Sequence, residues 1–166
     1  MHTLDEYKTF LKEVGNISGL KMLIPDEFGL VSFRVEDTFN VNLQFIEAND
    51  KILCFIEVMQ LPIDAPKEVY QDLLVGGLFG KDTGGGYFAL ESDSNTVIYN
   101  YLFDYETSAK DPEEFISTLE NILQLCDFWV ERIDKLTNNK SNNKPKNQDD
   151  KNDNMKLINN NFLLRA

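Results

Sequence analysis

The chain has 166 residues, with 16 Lys and Arg against 28 Asp and Glu, a formal net charge of −12 and a pI near 4.4. Length allows one domain of ordinary size, and one Trp, six Tyr and twelve Phe permit a packed core. The acidity argues against nucleic-acid binding, which needs clustered Lys and Arg, and against recruitment to anionic membranes. No apolar run approaches the roughly 20 residues of a membrane helix, and the first residues show no basic-then-apolar secretory signal.

In chain order, Thr3-Leu4-Asp5-Glu6 forms a capping box opening helix one. Leu4, Tyr7, Leu11 and Val14 follow at helical spacing with Phe10 beside them, and Gly15-Asn16 is the expected stop. Residues 28–35, 41–46 and 52–61 are rich in Val, Ile and Phe and read as strands. Ala48-Asn49-Asp50-Lys51 is the hairpin turn between the second and third, and the third, apolar on both faces from Ile52 to Val58, belongs in the centre of a sheet or under cover.

Between Pro62 and Pro66 lies a loop. Residues 67–79 then read as helix two, with Val69, Leu73 and Leu74 on one face and Gly76-Gly77 weakening its end. A glycine-rich loop over 81–86 leads to strands at 87–90 and 96–105, joined across Ser92-Asp93-Ser94-Asn95. Asp111, Pro112 and Glu114 start a long helix three, in which Phe115, Leu119, Ile122, Cys126, Trp129 and Ile133 recur at helical spacing. The order α-β-β-β-α-β-β-α gives an α+β domain with an antiparallel sheet and three helices over residues 1–136.

Composition shifts after Leu136. Residues 1–136 carry net −15 and residues 137–166 net +3. Residues 137–154 hold seven Asn and four Lys without a large apolar residue and read as a disordered tether. It ends in a short apolar segment, residues 155–166, with Met155, Leu157, Ile158, Phe162, Leu163 and Leu164, which reads as a tethered segment for an effector groove or a neighbouring subunit, with a disordered end as the plain alternative.

Catalytic chemistry has little to build on. The single histidine, His2, sits near the first residue, and Cys54 and Cys126 lie inside apolar runs, as buried thiols of a reducing cytosol do. Gly76-Gly77-Leu78-Phe79-Gly80-Lys81-Asp82 fails as a phosphate loop in spacing and in having Asp82 where Ser or Thr would hold magnesium. Glu36-Asp37, Glu113-Glu114 and Asp149-Asp150 are pairs expected on solvated faces. Neither an enzyme nor a metal or other cofactor is expected.

The acidic body, the element order, Asp26-Glu27-Phe28-Gly29 before the first strand, Leu61-Pro62 after the third, Leu73-Leu74 before a glycine-bearing loop, and Gly86-Tyr87-Phe88-Ala89-Leu90 together resemble the class I type III secretion chaperones, the Tir-chaperone (CesT-like) family. The resemblance covers about residues 3–136. Gly76-Gly77 departs from it, since the family often has Asn after the paired leucines, and the tail lies outside it.

The resemblance implies a homodimer in the bacterial cytosol that binds the N-terminal segment of a secreted effector, keeps it secretion-competent and directs it to the export apparatus, without nucleic acid or membrane insertion. It implies dimer contacts from Leu74, Val75, Leu78, Phe79, Tyr99, Tyr101 and Phe103, and effector contacts from Phe10, Leu30, Phe33, Val35, Val41, Leu43 and Phe45. The plain alternative for each is the core of one chain. The alternative function is a regulatory domain of the same fold acting on a folded signalling partner.

Overall fold

The computed structural model describes residues 2–20, 23–35 and 37–141. Helix α1 (Leu4–Ser18) precedes strands β1 (Leu30–Val35), β2 (Phe39–Ile46) and β3 (Lys51–Gln60). Helix α2 (Lys67–Gly76) leads through a 3₁₀ turn (Leu78–Gly80) to β4 (Tyr87–Glu91) and β5 (Thr96–Asp104), and α3 (Tyr105–Lys110) and α4 (Pro112–Ser141) follow. The five strands form one antiparallel sheet in the order β1-β2-β3-β5-β4, with β3 at its centre as its two-sided apolar pattern requires.

The capping box forms as read. Glu6 N donates to Thr3 Oγ1 at 3.3 Å and Thr3 N donates to Glu6 Oε2 at 2.7 Å. The helix runs past Gly15-Asn16 and stops at Gly19, which takes φ +74° as a left-handed cap. Gly15 serves packing instead: a Cβ there would meet Leu20 O at 2.8 Å. Tyr7, Phe10, Leu11 and Val14 are buried, and Tyr7 stacks on Phe45 with ring centroids 4.9 Å apart.

Along β2 and β3, Val41, Leu43, Phe45, Ile52, Cys54 and Ile56 face α1 and α4 and are buried. Helix α4 supplies the opposing ridge: all six residues of the expected run, from Phe115 to Ile133, are buried. The opposite sheet face carries cross-strand rows such as Ser32, Asn42, Phe55, Asn100 and Tyr87, in which Asn42 and Asn100 are buried, Phe55 is half-buried and Tyr87 is exposed.

Three differences from the sequence reading are physical. A short helix, α3, follows β5; six residues carry no periodicity to detect, and Asp104 caps it by accepting from Thr107 N at 2.9 Å. The long helix expected as the third is therefore the fourth. It continues to Ser141, so residues 137–141 of the expected tether are helical, with Thr137 Oγ1 donating back to Ile133 O at 3.1 Å. The rest of that segment lies outside the described residues. Helix α2 ends at Gly76, three residues early, because Phe79 takes φ +58° and breaks the helical path.

Gly76 sets how closely α2 meets α4. A Cβ there would lie 2.5 Å from Trp129 Cη2, so the helix backbone lies against the indole. Trp129 Nε1 donates to Asp82 O at 2.9 Å, and Arg132 Nη2 donates to Asp72 Oδ1 at 2.5 Å while its Nε donates to Oδ2 of the same carboxylate. The guanidinium lies over the indole, 4.7 Å from the ring centroid.

In a free helix, Gly to Ala stabilises by about 0.5–1 kcal/mol. Gly76→Ala is expected to do the reverse, costing about 1–3 kcal/mol through overpacking. Gly77→Ala, whose Cβ would find nothing nearer than Leu73 O at 3.5 Å, is expected to be neutral or mildly stabilising. Urea denaturation of the two variants checks the contrast.

Candidate functional site

With its core filled, the chain still exposes apolar side chains, and two groups of them lie beside a cleft or groove among the described residues. The first follows from the break at the end of α2. Val69 and Gly76 face inward, so Leu74 and Val75 on the other side of the helix point to solvent, followed by Leu78 and Phe79 on the 3₁₀ turn. Leu74 is 78% exposed and Phe79 96%. The turn is closed by Gly80 N donating to Gly77 O at 3.1 Å and Lys81 N donating to Leu78 O at 3.3 Å, which holds Phe79 outward. A left-handed Phe costs roughly 1 kcal/mol or more, with no burial of its own ring to offset it in the single chain. A cleft of about 170 Å³ lined by Tyr70, Leu73, Leu74, Phe88, Leu90 and Val97 continues this strip to edge strand β4.

The second surface is a groove of about 740 Å³ between α1 and the segment after it. Leu11, Leu20, Leu23 and Pro25 line it, Ile24 is exposed in it, and Lys8 and Lys12 stand along α1. Nearby, Asp26 Oδ1 accepts from Phe28 N and from Leu30 N, both at 2.9 Å, and this turn leaves the Phe28 ring 75% exposed. The acidic turn singled out in the sequence is therefore a backbone clasp that presents an aromatic ring.

The fourteen expected contact residues divide. Leu74, Val75, Leu78 and Phe79 come together on the exposed strip. Tyr99 and Phe103 are buried, Tyr99 donating its hydroxyl to Thr83 O at 2.7 Å, and Tyr101 is half-buried against Phe103. Of the expected effector contacts, Phe10, Val41, Leu43 and Phe45 are core. Phe10 packs edge-on against Phe115, with centroids 5.1 Å apart. In this conformation these buried side chains offer a partner no surface, because α1, which carries Phe10, and α4 cover the sheet face that Val41, Leu43 and Phe45 share. Leu30, Phe33 and Val35 are half-buried on edge strand β1. The sequence reading missed Leu20, Leu23, Ile24 and Phe28, for which the signal was a run of large apolar residues in a Gly- and Pro-punctuated connection, and Leu90, which lies on the edge strand β4.

Titratable groups serve the fold. Where a carboxyl departs from its ordinary value it moves down, held by hydrogen bonds at caps and turns. Thr3 lowers Glu6, Ser94 lowers Glu91, and Lys51 followed by Thr107 holds Asp104 well below the usual range. None of these is a proton donor poised near neutrality. Among the described residues no cluster of three His, Cys, Asp or Glu could hold a metal ion, and no helix is long and apolar enough to cross a membrane.

An α+β sheet with a long covering helix and leftover apolar surface is the setting for the comparisons with known proteins. The model of the Tir chaperone protein (CesT) family matches residues 9–130. The chain belongs to that family. A Chlamydia pneumoniae protein, CPj0713/CpB0740, is 26% identical over 124 residues, 74% of this chain and 89% of that protein.

Three solved structures share the fold. The ExsC–ExsE complex matches with a TM-score of 0.67 at 20% identity, over 79% of this chain and 96% of that one. The HopA1–SchA chaperone–effector complex matches at 0.58 and 20%, over 77% and 92%. The Yersinia pestis type III secretion chaperone SycH, in complex with a fragment of YscM2, matches at 0.54 and 20%, over 72% and 98%.

Burial raises both thiols, Cys54 strongly and Cys126 up to about 12. At pH 8 both are protonated and enclosed in the fold, so iodoacetamide is expected to leave the folded chain unmodified over hours and to alkylate two thiols per chain in urea. Mass spectrometry reads the difference.

Proposed function

We propose that this chain is a type III secretion chaperone. Two copies associate in the bacterial cytosol and hold the N-terminal segment of a secreted effector in extended form, ready for the export apparatus. The observation that carries the reading is the pairing of family membership with apolar surface left open on a chain whose core is already full.

Leu74, Val75, Leu78 and Phe79 form a strip that meets its own copy across a two-fold axis, with Phe79 as the protruding anchor. The α1 groove and half-buried edge strand β1 take the effector. The groove accepts apolar side chains, and β1, an edge strand of the sheet, takes a strand of the segment by backbone pairing beyond Leu30, whose own N–H and carbonyl are held by Asp26. The solved complexes support the reading: SchA is paired with an effector and SycH with a fragment of a second protein. The acidic body keeps such a surface soluble by self-repulsion.

The test is co-expression of the full chain with candidate effectors from the same genome, followed by measurement of the complex mass and protease mapping of the protected segment. Two copies with one effector, protected near its N-terminus, is the expected result; a folded partner held through its surface would mark a regulatory domain instead. Leu78→Asp with Phe79→Asp is expected to weaken self-association at least tenfold, about 1.4 kcal/mol or more, with little change in the stability of the single chain at dilutions where it is a monomer, because both side chains are solvent-exposed there. Ile24→Asp is expected to lower effector affinity and leave self-association alone.

A further inference from the structure

We propose that the segment Met155–Leu164 docks on the chain's own α2–β4 cleft and the strip beside it, and competes there with a second copy. The competitor rests on the preceding proposal; the docking itself does not.

Three observations select this occupant and this place. The first is where α4 delivers the chain. Arg132 holds Asp72 of α2, and Leu136 one turn on is still half-buried against the core. Ser141 lies nine residues beyond Arg132, about 13 Å further along the helix at ~1.5 Å per residue. Thirteen residues, 142–154, can reach at most about 45 Å at full extension. The α2 surface is therefore within reach of residue 155.

The second is charge. Residues 155–166 carry Lys156 and Arg165 and no acid, whereas residues 67–91, from the start of α2 to the end of β4, hold four acids and two lysines, and of those acids Asp72 is held by Arg132. Residues 5–25, around the α1 groove, hold three acids and three lysines, and Lys8 and Lys12 line that groove. A basic segment is drawn to the first surface and not to the second.

The third is apolar match. Met155, Leu157, Ile158, Phe162, Leu163 and Leu164 put six large apolar side chains into ten residues. The α2–β4 cleft is lined almost wholly by apolar side chains and opens beside Leu74.

Tethering makes weak docking count. A leash of this length gives an effective concentration on the order of 1 mM, so a docking constant of about 0.1 mM keeps the surface covered roughly ten to one. A second copy at micromolar concentration then has to displace a segment from each protomer. Self-association becomes adjustable through a part of the chain that touches no effector groove.

The experiment uses the full chain and its triple variant Leu157→Asp, Phe162→Asp, Leu164→Asp, which leaves the body unchanged. Sedimentation velocity over a concentration series is expected to show self-association tighter by about a hundredfold in the variant, about tenfold for each protomer released, and equal constants overturn the competition. Hydrogen exchange is measured on both chains at dilutions where each sediments as a monomer. Amides of residues 70–79 and 87–91 are expected to exchange several-fold faster in the variant. Unchanged rates there, or a change confined to residues 15–25, overturn the docking. A chain that stays monomeric at every concentration removes the second-copy reading, and the exchange measurement still decides the docking.

Discussion

The approach of α2 to the indole of Trp129 governs what this fold presents to the outside. Glycine at position 76 lets the helix backbone lie on the ring, and the Arg132–Asp72 pair with the Trp129–Asp82 hydrogen bond fixes the contact on both sides. A larger residue at 76 would lift α2 away from α4 and turn its outer side chains. With the helix seated, the inward positions are used up by Val69 and Gly76, and Leu74, Val75, Leu78 and Phe79 have nowhere to go but outward. The exposed strip is thus a by-product of a buried contact. It persists because moving those side chains inward would require unseating the tryptophan.

The parts of the fold governed by local rules were legible before any coordinates. The capping box at Thr3, the Asp111-Pro112 start of the long helix and the buried ridge from Phe115 to Ile133 follow from spacing and cap chemistry within a few residues of each other. What escaped was decided at a distance. Alternation along β2 told that Val41, Leu43 and Phe45 share a face, but not that α1 and α4 cover it. The same limit merged core and contact surface in Tyr99 and Phe103. Gly15 looked like a helix stop because glycine is read first as a breaker; its role is to let Leu20 O come close, which only the folded chain shows. The exposed strip on α2 was legible as apolar residues in excess of one helical face, which is why four neighbouring positions were placed together.

The charge distribution sets the two apolar surfaces apart. The body is strongly acidic, and its few cations are mostly committed within it: Lys8 to Asp5, Lys51 to Asp104, Lys110 to Glu106 and Lys135 to Glu131. Exposed pairs of this kind contribute little to stability. Their effect is on what the surface repels and admits. The two surfaces differ in what edges them: Lys8 and Lys12 stand at the α1 groove, with Lys8 paired to Asp5, and Glu68, Asp72 and Asp82 stand near the α2 strip, with Asp72 paired to Arg132.

The strand order also fixes a sequence of events during synthesis. Strands β1, β2 and β3 are consecutive and pair through short turns, so this meander assembles from neighbours in the chain. The other edge of β3 must wait for β5, whose residue Asp104 pairs with Lys51, 53 positions earlier, and closing so long a loop is slow. Until the ribosome has made and released β5, the most apolar strand of the sheet shows a bare edge. A nascent chain of this protein is itself, for that interval, an aggregation-prone client.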